Sequence, residues 1–93
     1  MKLCVYSVFD VKSGIFNTPF FQINDNVARR SFMDLVNDPQ SLLYKHPEDF
    51  TLWRLGEFDD QLGDFEETAA HAREVICNAI TMKVQDENQE TVR

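Results

Sequence analysis

Residues Lys45 to Asp60 read KHPEDFTLWRLGEFDD, the least generic stretch of the chain. Pro47 disfavours helical backbone at His46 and makes the dipeptide a stiff extended lead-in. Glu48 and Asp49 are short acids of the kind that hold a turn by accepting nearby backbone N–H groups. From Phe50 to Phe58 the pattern alternates, with Leu52 and Arg54 on one side and Trp53 and Leu55 on the other, which predicts a strand. The polar run DDQLG, with Gly63, then predicts a turn, and DFEE a short fourth strand that closes a hairpin.

Upstream, KLCVYSVFD (Lys2 to Asp10) predicts a first strand with Leu3, Val5 and Phe9 on one side and Cys4, Tyr6 and Val8 on the other. Both sides are largely apolar, as in a strand covered on each face. Lys12-Ser13-Gly14 predicts a turn and IFNTPFFQ a second strand, where Pro19 lacks a ladder donor and favours an edge or bulge. NDNVARRSFMDLVNDP predicts a long helix, capped by Asn24 or Asp25, ended before Pro39, with a stripe of Val27, Ala28, Phe32, Leu35 and Val36. Leu42, Leu43 and Tyr44 then form a short core plug. From Thr68 onward, Ala72, Val75, Ile76, Ala79 and Ile80 have the spacing of a second, shorter amphipathic helix. Residues 83–93 are polar and predict a flexible tail. The expected fold is therefore α+β, in the order ββαββα, with a small antiparallel sheet of about four strands and both helices on it, as a single domain over 1–82.

Ninety-three residues, 43% hydrophobic and with eight Phe, suffice for one small core. So small a core implies marginal stability or a homodimer that covers leftover apolar surface. Cys4 and Cys77 are the only cysteines, the start lacks a continuous apolar run, and no run approaches the roughly 20 residues that span a bilayer. These features lead us to expect a reducing cytoplasm, with no membrane partner. The net charge of −7 is uneven: residues 1–47 are near +1 and 48–93 near −8. Any nucleic-acid contact is then local and on the N-terminal half, because each neutralised phosphate needs a Lys or Arg.

Catalytic and metal chemistry find little support. Glu57, Asp59, Asp60, Asp64, Glu66 and Glu67 crowd one hairpin, but Gln61 and Gly63 fall where a calcium loop needs acids. His46 and His71 are the only imidazoles, and neither lies beside a nucleophile. Cys4, Cys77, His46 and His71 lack the paired spacing of a zinc site. The isolated Gly14, Gly56 and Gly63 form no phosphate-cradling loop. We expect no enzyme, no cofactor and no metal. What the chain does offer is stacking aromatics in the N-terminal hairpin beside cations. Lys2, Lys12, Phe16, Phe20, Arg29 and Arg30 are the candidate single-stranded DNA contacts.

PFF (Pro19 to Phe21) leading into a capped helix, NDP (Asn37 to Pro39) and above all KHPEDF-L--LGEFD (Lys45 to Asp59) resemble the small non-structural protein of gokushovirus-type microviruses, phages with single-stranded DNA genomes. The resemblance covers roughly residues 1 to 66 and fades after Glu67. Where that family commonly has Tyr after the Glu-Asp pair, Phe50 keeps the ring and lacks the hydroxyl. The resemblance implies a non-structural protein of the host cytoplasm that assists single-stranded genome synthesis and its coupling to packaging, and it supplies no catalytic residues. Two readings follow. One is a replication accessory that binds viral or host replication proteins and single-stranded DNA. The other is an acidic interaction module that engages or occludes a basic partner, with Lys45, His46, Trp53, Arg54, Glu57, Asp59 and Asp60 as the candidate partner-facing residues.

Overall fold

Alternation in residues 2–10 and 50–59 builds the centre of the molecule. The computed structural model describes residues 1–66 and 73–84. Its elements are β1 (Lys2–Asp10), β2 (Ile15–Phe16), β3 (Phe20–Gln22), α1 (Asp25–Val36), α2 (Leu42–Lys45), a 3₁₀ turn (Pro47–Asp49), β4 (Phe50–Asp59), β5 (Asp64–Glu66), β6 (Glu74–Asn78) and α3 (Ala79–Met82). β1 and β4 form one long antiparallel ladder, from Lys2 opposite Asp59 to Asp10 opposite Phe50. β2 and β3 share the outer edge of β1, and β5 and β6 share the outer edge of β4. Since β3 and β4 are both antiparallel to β1, they run parallel to each other with β1 between them. The α1 segment that joins them is a crossover, which places the helix against one face of the sheet.

The sheet thus has six strands where four were expected. The second expected strand is split: Ile15–Phe16 and Phe20–Gln22 pair with β1, and Asn17-Thr18-Pro19 interrupts them. Proline has no N–H for the ladder, which accounts for the break. The larger correction concerns the second helix. Glu74–Asn78 is a strand on β4, and only Ala79–Met82 is helical; Thr68–Ala72 lie outside the described residues. Val75 and Ile76 are β-branched, and β4 offers an unpaired row of backbone groups opposite Thr51 to Arg54. Satisfying that edge outweighs a helical spacing of apolar side chains.

The expected long helix is present. Asn24 caps it, its Oδ1 accepting from Val27 N–H at 2.9 Å. Ala28, Phe32 and Val36, one turn apart, are its buried residues, whereas Leu35, expected in the stripe, is 41% exposed. Asn37 follows the helix and joins it to the end of α3: its side-chain amide donates to Met82 C=O at 3.1 Å, and its oxygen accepts from Val84 N–H at 2.8 Å. The core consists of Tyr6, Val8, Phe50 and Leu52 from the sheet with Ala28, Phe32, Val36, Leu43 and Ala79 from the helices. Every one of these strand residues lies on the Tyr6 side. Among the described residues, no helix is long and apolar enough to cross a membrane.

Two turns at the ends of the long strands are built alike. Gly14 N–H donates to Asp10 C=O and Gly63 N–H to Asp59 C=O, each at 2.8 Å. The aspartate Oδ1 in turn accepts from Lys12 N–H and Gln61 N–H, each at 2.9 Å. Both glycines have positive φ, 75° and 72°. A Cβ at Gly63 would meet nothing within 4 Å. Gly63→Ala is therefore expected to cost about 1–2 kcal/mol from backbone conformation alone, read as a lower urea midpoint with an unchanged slope.

Candidate functional site

On the helix side, the polar groups are committed to the fold. Tyr6 O–H donates to Asp25 Oδ1 at 2.6 Å, and Arg54 donates to Asp25 Oδ2 and to Glu74. These contacts join β1, α1, β4 and β6, and they line one side of an open pocket of about 510 Å³ with Cys4, Asn24 and Arg29. Burial works against ionising Asp25, yet the Tyr6 hydrogen bond and the Arg54 guanidinium outweigh it and hold the carboxyl below the usual range. Burial, reinforced by Asp25, pushes the Tyr6 phenol up. Because Asp25 binds its proton less readily folded than unfolded, it adds stability above its ordinary pKa of 3.8, and that part is lost as pH falls through the lower folded value. Asp25→Asn is expected to flatten the acid limb of the stability–pH curve below about pH 4. An unchanged limb in denaturant titrations would exclude this role.

The opposite face of the sheet lies outside the helix-side core cluster, although Val5 (7% exposed) and Ser7 are buried on it, and it is rich in rings. The register places Leu3, Val5, Ser7 and Phe9 of β1 there, with Phe16, Phe21, Trp53, Phe58, Phe65 and Val75 from the neighbouring strands. The rings form two groups. In one, Phe9 and Phe16 stand 4.8 Å apart, and Phe16 meets Trp53 edge-on at 5.7 Å. The Arg73 guanidinium lies over the Phe16 ring, 5.3 Å from its centroid, and Lys12 sits in the adjoining β1–β2 turn. In the other, Phe21, Phe58 and Phe65 pack together, with Phe58 and Phe65 only 4.8 Å apart. Phe65 remains 69% exposed.

The charge surrounding the two groups differs. The Arg73 guanidinium accompanies the first; the second adjoins the β4–β5 hairpin, which carries Asp59, Asp60, Asp64 and Glu66. Backbone N–H groups of Gln61 and Leu62 hold the Asp59 carboxyl below the usual range. Asp60 accepts from the Met1 ammonium at 2.8 Å and Glu66 from Lys2 at 3.2 Å, all exposed. Leu62, at the turn, is 70% exposed.

The expected nucleic-acid contacts fall on both sides of the sheet. Phe16 is on the open face, whereas Lys12, in the β1–β2 turn, lines a pocket with His46, Glu48 and Asp49. Phe20 turns the other way, stacks on Tyr6 at 5.7 Å and packs against the core. Lys2 is engaged by Glu66. Arg29 and Arg30 lie on α1, so the sheet separates them from Phe16; Arg29 donates to Asn26 at 2.9 Å. Of the candidate partner-facing residues, Trp53 is on the open face, Lys45 and His46 are exposed at the end of α2, and Asp59 and Asp60 are in the hairpin turn. Glu57 lies opposite Cys4 and Glu66 on the helix side. Arg54 points into the Asp25–Glu74 contacts, with 17% of its side chain exposed. Sequence reasoning left out Phe58, Phe65 and Arg73. Strict alternation from Trp53 would put Phe58 on the Leu52 side. The β-bulge between Arg54 and Gly56 leaves Leu55 without a partner on β1 and turns Phe58, and with it Phe65, to the Trp53 side. Nothing local to Arg73 announces its ring partner.

A sheet with helices on one face and two groups of rings on the other defines a small α+β protein that presents an open aromatic surface. The chain belongs to the phage ORF5 protein family, whose model matches residues 3–82. No curated protein and no solved structure matches it.

Proposed function

We propose that this phage protein is a non-enzymatic accessory factor of the gokushovirus type, acting in single-stranded genome synthesis and its coupling to packaging, and that it binds single-stranded DNA on the open face of its sheet. The observation that carries this reading is the Phe9–Phe16–Trp53 group with the Arg73 guanidinium over Phe16. Bases stack on exposed rings whatever their identity, and a cation at the edge of the stack meets the phosphates. With one such cation, affinity is modest and the salt slope shallow, near the roughly −0.7 per phosphate of single strands.

Trp53 is the only tryptophan, so it reports directly on that surface. Titration of the full chain with single-stranded oligothymidine at low salt is expected to quench its emission, saturating in roughly the 1–100 µM range. Absence of quenching and of anisotropy change over that range would overturn the reading.

The acidic hairpin favours a second reading. Asp59, Asp60, Asp64 and Glu66 share one hairpin with the exposed Leu62 and Phe65, an edge suited to a basic protein surface with an apolar part. A protein that worked this way alone would show no DNA affinity, and it would lose its basic partner on Asp60→Asn/Asp64→Asn.

A further inference from the structure

The turn at residues 46–49 takes no part in the open face. A ring nitrogen of His46 and carboxylate oxygens of Glu48 and Asp49 lie within 4.8 Å of one another. They open on a pocket of about 340 Å³ that Asp10 and Lys12 also line. The 3₁₀ turn explains the convergence, because at three residues per turn positions i and i+3 eclipse, which puts His46 over Asp49. The backbone is held independently of these side chains. Pro47 is buried, Asp49 N–H donates to His46 C=O at 3.1 Å, and Val11 N–H donates to Asp49 C=O at 2.9 Å, which draws Asp10 at the end of β1 alongside. Among the described residues, the side chains of His46, Glu48 and Asp49 make no hydrogen bond or ion pair. Two neighbouring carboxylates and an imidazole are thus presented together on fixed backbone with their lone pairs unengaged.

We propose that this turn is a divalent-metal site that takes a zinc-class ion through His46, Glu48 and Asp49. One nitrogen and two oxygens are donors that zinc accepts, at about 2.0–2.2 Å each. Donors on one ion are then at most about 4.4 Å apart, so small side-chain rotations close the site. Three protein donors leave a position for water or an anionic oxygen. The site is invisible to a search for paired Cys or His spacing, since its ligands come from a single turn.

The inference is independent of what the sheet face binds, and its test contains no DNA. The chelator-treated full chain is titrated with Zn²⁺ by calorimetry and with Co²⁺ by its visible absorption. One ion per chain is expected, with an absorption spectrum that His46→Ala alters. Loss of a direct ligand in His46→Ala, or in the shape-conserving Glu48→Gln, should weaken binding by more than the roughly 10–100-fold seen for outer-sphere partners. Asp60→Asn/Asp64→Asn should leave it unchanged. Unsaturable binding, or binding that survives both turn variants and disappears with the hairpin variant, would overturn the proposal.

Discussion

Phe32→Ala and Leu52→Ala are each expected to lower the unfolding free energy by about 3–5 kcal/mol. Phe32 is 2% exposed and Leu52 fully buried, and they belong to one cluster that α1 and β4 complete together. Each truncation removes apolar burial and leaves a hole that the surrounding strands cannot follow, because β4 is held between β1 and β6, with Leu52 paired to Val8 on one side and Cys77 on the other. A domain of this size has a total stability of about 5–15 kcal/mol. Either change should therefore bring the protein close to unfolding at ambient temperature. Met33→Ala, on the exposed side of the same helix, should stay within about 0.5 kcal/mol. Denaturant titrations read all three; a loss below about 1 kcal/mol for Phe32→Ala would show that α1 is not anchored as described.

The second large effect concerns the open face. Phe16→Ala/Trp53→Ala is expected to weaken single-stranded DNA binding by at least about 30-fold, since each stacked base contributes roughly 1–3 kcal/mol. Anisotropy of a labelled oligonucleotide measures it, as the double variant lacks the tryptophan. Arg29→Ala/Arg30→Ala should change affinity less than about twofold, because both arginines are across the sheet from the rings. Arg73→Ala should reduce the salt slope by about 0.7. The reverse pattern, with the α1 arginines essential and the rings dispensable, would move the interface to the helix side.

Much of the fold was legible because its main elements carry clean local periods. β1 and the first half of β4 alternate and α1 repeats at helical spacing, so these faces could be assigned, including Leu52 and Arg54 opposite Trp53; the bulge at Leu55 reverses the faces of β4 beyond it. Glu74–Asn78 was not legible, since Val75, Ile76, Ala79 and Ile80 fit a helical stripe and the competing demand comes from the edge of β4, some 20 residues away in sequence. The site shows the same division. The rings were evident as composition, but whether Phe16 and Phe20 share a side depends on the break at Pro19. Phe20 falls to the core and Phe16 to the open face. The grouping of Phe16 with Trp53 and Arg73 requires β2, β4 and the residue just before β6 to be brought together across the sheet.

The long β1–β4 ladder has a consequence for the order of folding. Lys2 pairs with Asp59 and Asp10 with Phe50, so the central partnership of the sheet encloses β2, β3 and the α1 crossover. Contacts of such sequence separation form slowly. During synthesis β1 can gather only β2 and β3, which leaves its other edge, apolar on both faces, without a partner. That edge must wait for Phe50 to Asp59 to leave the ribosome. The segment that begins at Lys45 is therefore also the step that ends the interval in which a nascent chain is most exposed to mispairing with its neighbours.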